Sequence, residues 1–340
     1  PNRVTVRVGY ENEDARDARL TEEDEESFDR WSASLRYDRR LVKVRRVAAP
    51  VVSVGNLTLG GTGKTPLVEW LVRWFQTRGV AVAIVSRGYK SAAGAPNDEA
   101  LELAGKLPDT PHVQNPRRAV AAEQAIRDFG AKLIVLDDAF QHRRIHRDLD
   151  IVLLDALEPF GYERVFPRGM LREPVSGLRR AGAVILSRSD AVSQQQRGAI
   201  RERVRRLAPQ ALWVEIVQRP GGLLSAEDTR GDAAQLAGRR VAAFCGIGNP
   251  AGFRHTLESV GCEVAGLREF PDHHRYTWAD IASLLQWVEG LDNVAAVLCT
   301  HKDLVKLNIA QLGDIPLWAL TIELEITAGR MSFWPASGTE

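Results

Sequence analysis

An apolar run that breaks into a glycine-rich loop and then a helix constrains this chain more than any other feature. Val51–Val54 reads as a buried strand. Thr58-Leu59-Gly60-Gly61-Thr62-Gly63-Lys64-Thr65 follows it, and a helix is expected from Pro66. That order is the setting in which a phosphate-binding loop works. Glycines let backbone N–H groups approach phosphate oxygens with no Cβ in the way. A helix N-terminus adds open donors and a favourable dipole. Lys64 can place its charge on the β- and γ-phosphates, and the Thr65 hydroxyl can ligate Mg²⁺. Pro66 in the first turn sacrifices no needed hydrogen bond. Thr58 stands where G-x-x-x-x-G-K-[ST] has its first glycine, so the match is to a relaxed pattern with Gly60 and Gly61 inside the loop.

The pattern of apolar run, loop and amphipathic helix then repeats. Val80–Val85, Leu133–Leu136, Ile151–Leu154 and Ala183–Leu186 are nearly unbroken apolar runs, as parallel strands covered on both faces require. Leu67, Leu71, Trp74 and Phe75 share one helical face, and Gly79 ends that helix. The expected fold is an α/β, P-loop NTPase-type, doubly wound and mostly parallel sheet, with a second, smaller α/β domain. A break near Leu207–Gln210 separates a P-loop domain over 36–210 from the second unit over 211–328. The second unit's strands are expected at Leu212–Val217, Val241–Cys245, Val294–Cys299 and Leu317–Ile322, with a loop at Pro220-Gly221-Gly222. Thr277 and Asp280 have capping-box spacing. Residues 1–35 form an acidic extension poor in core-forming side chains, which reads as solvated or disordered, and 329–340 as a frayed tail.

A net charge of +1 over 340 residues argues against a nucleic-acid partner. Cys245, Cys262 and Cys299 lack CxxC spacing and read as buried free thiols in a reducing compartment. No signal peptide is evident, and no apolar run approaches the ~20 residues that span a bilayer. The expected place is therefore cytoplasmic, with membrane contact only at the surface. The basic stretch from Arg36 to Arg46, interleaved with Tyr37, Leu41 and Val42, suits either an anionic membrane or an ordinary helix with a solvated face.

Leu133–Leu136 ends in Asp137-Asp138. A buried strand ending in Asp presents a carboxylate at the carboxyl edge of the sheet, where ligands of open α/β sheets bind. Such a carboxylate can hold Mg²⁺ opposite the loop threonine. Successive strand residues point to opposite faces, so one of the two faces the metal closely.

Taken in order, these residues resemble one family. Val54-Gly55-Asn56-Leu57 enters the glycine loop, and Ser86-Arg87-Gly88-Tyr89 follows the next strand. Asp137 to Arg144, Arg147 to Asp150, Pro167, Gly169 and Leu171-Arg172-Glu173-Pro174 come next. Gly246-Ile247-Gly248-Asn249-Pro250, Phe270-Pro271-Asp272-His273 and Lys302-Asp303 complete the series. It is similar to the tetraacyldisaccharide 4′-kinase family over roughly 38–325.

The resemblance implies transfer of the ATP γ-phosphate to the 4′-hydroxyl of a tetraacylated glucosamine disaccharide 1-phosphate in lipid A biosynthesis. The cofactors would be ATP and Mg²⁺. The partners would be the lipid-linked disaccharide and the inner-membrane surface, met peripherally at its cytoplasmic face, by a monomer. The family's Gly-Asp-Glu-Pro segment corresponds to Asn97-Asp98-Glu99-Ala100. Asp98 would be the base, paired with His273, and Glu99 would join Thr65, Asp137 and Asp138 at the metal. Arg118, Gln141, His142, Arg172 and Glu173 would meet the substrate. Taken without the family, Asp98-Glu99 also fits a helix cap with an acidic first turn, and His273 a structural loop histidine. The family's Asp-Asp-Gly-Phe is Asp137-Asp138-Ala139-Phe140, and its usual apolar first helix is replaced by acidic residues. Two other readings remain: a P-loop GTPase or ATPase of metallochaperone type using Lys302-Asp303 for guanine, and a non-catalytic nucleotide-binding protein.

Overall fold

The computed structural model describes residues 43–88, 98–272 and 274–329, apart from the side chains of Asp98 and Glu99. Seven strands make the first part of the sheet: β1 (Val51–Asn56), β2 (Val82–Ser86), β3 (His112–Gln114), β4 (Leu133–Asp137), β5 (Leu149–Asp155), β6 (Ala183–Ser187) and β7 (Leu212–Leu224). Helices α1 (Lys64–Gln76), α2 (Asp98–Lys106), α3 (Arg118–Phe129) and α4 (Gln194–Leu207) connect them. The order is β3-β2-β4-β1-β5-β6-β7, all parallel. The chain leaves β1 toward one side and returns past it to the other, so β1 is the switch point beside which such sheets bind ligands. β1, β4 and β6 are buried at every position, which is why their sequences run apolar rather than alternate.

The remaining elements are β8 (Arg230–Gly231), β9 (Arg240–Cys245), α5 (Pro250–Val260), β10 (Glu263–Glu269), α6 (Trp278–Glu289), β11 (Ala296–Thr300), α7 (His301–Leu307), β12 (Gln311–Leu312) and β13 (Ile315–Ala328). β13, β11, β9 and β10 form a second parallel set. The two sets join into one sheet because β13 pairs antiparallel with β7.

That pairing positions the site. β7 begins beside β6, with Glu215 opposite Leu186, and ends at Leu224 opposite Ala319. β13 begins beside β11, with Ala319 opposite Cys299, and ends at Ala328 opposite Glu215. Each long strand therefore starts in its own parallel set and finishes in the other. The two sets run toward each other, and their carboxyl edges meet over the middle of the β7–β13 ribbon.

Pro220-Gly221-Gly222 lies within β7, not in the loop expected from its composition. Pro220 pairs opposite Ile322, where the register shifts between Thr321 and Ile322. A bulge lets a strand carry a residue without an N–H and bend there.

Helix α1 buries Leu67, Val68, Leu71, Val72 and Phe75 against a core that includes Val52, Ile84, Val135, Leu153 and Ile216. Truncating such a side chain, Leu71→Ala for instance, costs about 2–5 kcal/mol. The capping box at Thr277 and Asp280 is formed at the start of α6. Cys245 and Cys299 are buried, Cys262 is half-buried, and all three are free thiols.

Candidate active site

A cavity of about 980 Å³ lies between the two carboxyl edges. The glycine loop forms one wall, Ile247, Gly248 and Asn249 face it from the second set, and Gln218, Thr321 and Ile322 of the ribbon form the floor. Loop and helix here are one device. Gly63 precedes α1 with φ +87°, and no side chain caps the helix, so its first N–H groups stay open to an anion. A Cβ at Gly63 would lie 2.3 Å from Gln218 Nε2, and one at Gly60 would meet the Gly248 carbonyl at 3.2 Å. Glycine thus serves two ends: a left-handed turn, and close approach of the second set.

Lys64 donates to Asn56 Oδ1 at 3.4 Å and lies 3.3 Å from Asp138. Asn56 also donates to the Thr58 carbonyl at 2.8 Å. Leu59 to Thr65 line the cavity; Thr58 does not, being buried and bridged to Leu171. Thr58 therefore shapes the loop from behind instead of presenting itself to the nucleotide.

β4 ends at Asp137, which is buried and faces the cavity. Asp138 turns into the left-handed region at φ +48°. Arg172 Nη1 donates to both its oxygens, at 2.7 and 2.8 Å. Burial opposes charge on Asp138, yet the Arg172 guanidinium and the Lys64 ammonium override it and hold the carboxyl far below the usual carboxylate range. The two aspartates are thus separated by backbone geometry: one turned to the loop cations, one left at the strand end.

Arg118, Gln141, His142 and Arg172 line the cavity. His142 has its pKa pushed down to about 3 by burial and by Arg118, Arg147, Arg144 and Arg87 around it. It is neutral at physiological pH. Glu173 departs from the expectation of a substrate contact: it is buried and does not line the cavity. It accepts from Gln141 at 3.1 Å and Arg180 at 2.6 Å, so it orients Gln141 from behind. Arg180 also stacks over Phe140, 4.2 Å from the ring centroid. Asp98 opens α2, whose Glu102 and Lys106 reach the cavity; its side chain, that of Glu99, and His273 lie outside the described residues.

Residues given no site role from the sequence, Arg188, Asp155, Ser187 and Asn249, tie the walls together. Arg188, buried at the end of β6, donates to the Gly61 carbonyl at 2.7 Å and to Asp155 at 2.7 Å. Asn249 Nδ2 donates to the same Asp155 carboxylate at 2.7 Å. Ser187 Oγ donates to the Thr62 carbonyl at 2.8 Å. The available signal was the same as for Asp137: Asp155 and Arg188 each terminate an apolar strand run. Asp303 is fully buried and accepts from Tyr276 at 3.0 Å, Thr300 at 2.6 Å and the Gly246 N–H. A carboxylate so engaged supports a loop and is not presented to a guanine base.

A model of the tetraacyldisaccharide-1-P 4′-kinase family matches residues 31–334. The chain belongs to that family. A tetraacyldisaccharide 4′-kinase of Anaeromyxobacter dehalogenans is 44% identical over 323 residues, 88% of this chain and 85% of its own length. One from Syntrophus aciditrophicus is 36% identical, covering 85% of this chain and 84% of its own. In three dimensions the chain is similar to LpxK of Aquifex aeolicus, crystallised in complex with ATP, with TM-score 0.63, 28% identity, and coverage of 85% and 88% of the two chains. The family is one of ATP-dependent kinases, so the chain is a phosphotransferase with an α/β fold of P-loop type.

Proposed function

We propose that the chain transfers the γ-phosphate of ATP to the 4′-hydroxyl of a tetraacylated glucosamine disaccharide 1-phosphate, the kinase step of lipid A assembly. The observation that carries this reading is the uncapped glycine-loop helix with Lys64 beside Asp138, set in a family match that spans most of the chain. The loop N–H groups and Lys64 hold the β- and γ-phosphates. Donors suited to Mg²⁺ lie on the same cavity: the Thr65 hydroxyl and Asp137. Hydroxyl and carboxylate oxygens fit a hard cation that keeps waters and phosphate oxygens as its other ligands. When bound, Mg²⁺ supplies charge neutralisation at the phosphates. Asp138, with both oxygens on Arg172, holds Lys64 in place; Glu99 would complete the metal side.

Asp98 accepts the 4′-hydroxyl proton as the oxygen–phosphorus bond forms and the bond to the leaving ADP oxygen breaks, and His273 orients it. Arg118, Gln141, His142 and Arg172 donate to acceptor oxygens. Because His142 is neutral, it offers one donor and one acceptor rather than a charge. The acceptor is a membrane lipid, met from the cytoplasmic face; among the described residues no helix is long and apolar enough to cross a bilayer. The test is radiolabel transfer from MgATP to the 1-phosphorylated tetraacyl acceptor, with the deacylated sugar and with GTP as competitors. Label that goes equally well to the deacylated sugar, or GTP that displaces ATP, would overturn the assignment.

A further inference from the structure

We propose that the segment from Leu157 to Arg168 is a preformed membrane-docking tip that seats the cleft on an anionic bilayer. The proposal rests on the reading that the acceptor is a membrane lipid. Among the described residues, large apolar side chains exposed beyond a third are mostly scattered, but three fall in this one loop: Leu157 at 45%, Tyr162 at 65% and Phe166 at 41%. Apolar side chains clustered at the surface mark a contact, whereas single ones do not.

The loop is tied down at its base while its tip points outward. It leaves β5 after Asp155, whose Oδ1 accepts the Leu157 N–H at 3.1 Å. It returns as Met170 N donates to the Gly161 carbonyl and Leu171 N to the Arg164 carbonyl, both at 3.0 Å. Phe160 and Leu171 anchor it in the core. At Gly169 a Cβ would fall 2.4 Å from the Arg164 carbonyl, so only glycine permits this closure. Tyr162 and Glu163 sit in the left-handed region, at φ +55° and +59°. Non-glycine residues rarely adopt it without a constraint. The constraint here places a tyrosine ring in solvent.

The returning end of the loop, rather than its tip, adjoins the cavity. Leu59 of the phosphate loop donates to the Met170 carbonyl at 2.7 Å, and Arg172, two residues on, lines the cavity. Arg164 and Arg168 are exposed, and the Glu163 charge is paired with Arg203, so Glu158 alone offsets the two arginines and the balance is positive, which suits an anionic surface. Aromatic rings beside arginines favour the headgroup layer. A lipid kinase docked there meets its acceptor's sugar without withdrawing the acyl chains from the bilayer.

The experiment is cosedimentation of the full chain with vesicles of phosphatidylethanolamine and phosphatidylglycerol. Leu157→Ser with Tyr162→Asn should weaken partition about tenfold; Asn is chosen because it tolerates the left-handed backbone. Tyr162→Trp should strengthen it. Trp278→Ser, which removes a still more exposed ring in the second set, should leave it unchanged. Arg164→Gln with Arg168→Gln should weaken binding only when phosphatidylglycerol is present. Calorimetric ATP affinity, unchanged in every variant, reports an intact fold. Full partition of the double apolar variant, or an equal loss in Trp278→Ser, overturns the proposal. Wild type that phosphorylates acceptor without binding vesicles sinks the docking tip alone. Vesicle binding without phosphoryl transfer sinks the kinase reading alone.

Discussion

Among the described residues, two strand–glycine loop–helix units face each other across the cavity, and one of them is built to hold phosphate. In the first, β1 leads through Gly60, Gly61 and Gly63 into α1, whose N-terminus no side chain caps. In the second, β9 leads through Gly246 and Gly248 into α5, with Pro250 in the first turn. There Asn249 caps the helix, its Oδ1 accepting the Gly252 N–H at 2.8 Å, while its Nδ2 reaches Asp155. The second loop caps its helix at the Gly252 N–H and braces the cleft; the first carries no side-chain cap and adds Lys64. Glycines before a helix are therefore insufficient for a phosphate site. What decides is whether the helix donors are already taken.

The sharpest way to break this contrast is Lys64→Ala. It should lower kcat/KM by about 10²–10³, the scale for removing one charge-stabilising group. Arg172 still holds Asp138, so the melting temperature should barely move; a large drop in Tm would mean that Lys64 serves structure. Next comes Asp98→Ala, expected to reduce kcat by about 10² or more with ATP affinity retained. Turnover that survives this change would remove Asp98 as the base. In the second loop the same treatment should act on stability. Asn249→Ala should cost about 1 kcal/mol through the lost cap, read by denaturant melts. A collapse in turnover matching Lys64→Ala would mean that both loops bind phosphate.

The smallest effect concerns pH. His142 has a folded pKa of about 3 against an ordinary 6.5. Between those values the unfolded chain binds the proton more readily than the folded one, so stability falls as pH drops from 6.5 toward 3. His142→Asn should flatten that acid limb of the melting curve and leave stability at neutral pH nearly unchanged. An unaltered limb would show that other groups titrate there.

Much of the first unit was legible because its signals are local. Continuous apolar runs mark β1, β4, β5 and β6, and a glycine loop between strand and helix marks the phosphate site. The limits of legibility are equally physical. β10, half-buried at every internal position, and the three-residue β3 carry little apolar signal. Pro220-Gly221-Gly222 has the composition of a turn, but pairing with β13 holds it extended. Glu173 has the same local chemistry as a ligand-facing acid, and only its burial under Arg180 and Gln141 assigns it to support.

The sequence by itself determined the parallel α/β architecture, the position of the phosphate loop and the family, because strand burial, glycine freedom and helix donors act within a few residues of each other. Only the tertiary structure decided that the two parallel sets meet edge to edge, that Asp138 turns to Lys64 and Arg172 while Asp137 stays at the strand end, and that Asp155, Arg188 and Asn249 close the cleft. Those outcomes depend on antiparallel pairing of β7 with β13 and on backbone turns that join residues far apart in the chain, which no local pattern encodes.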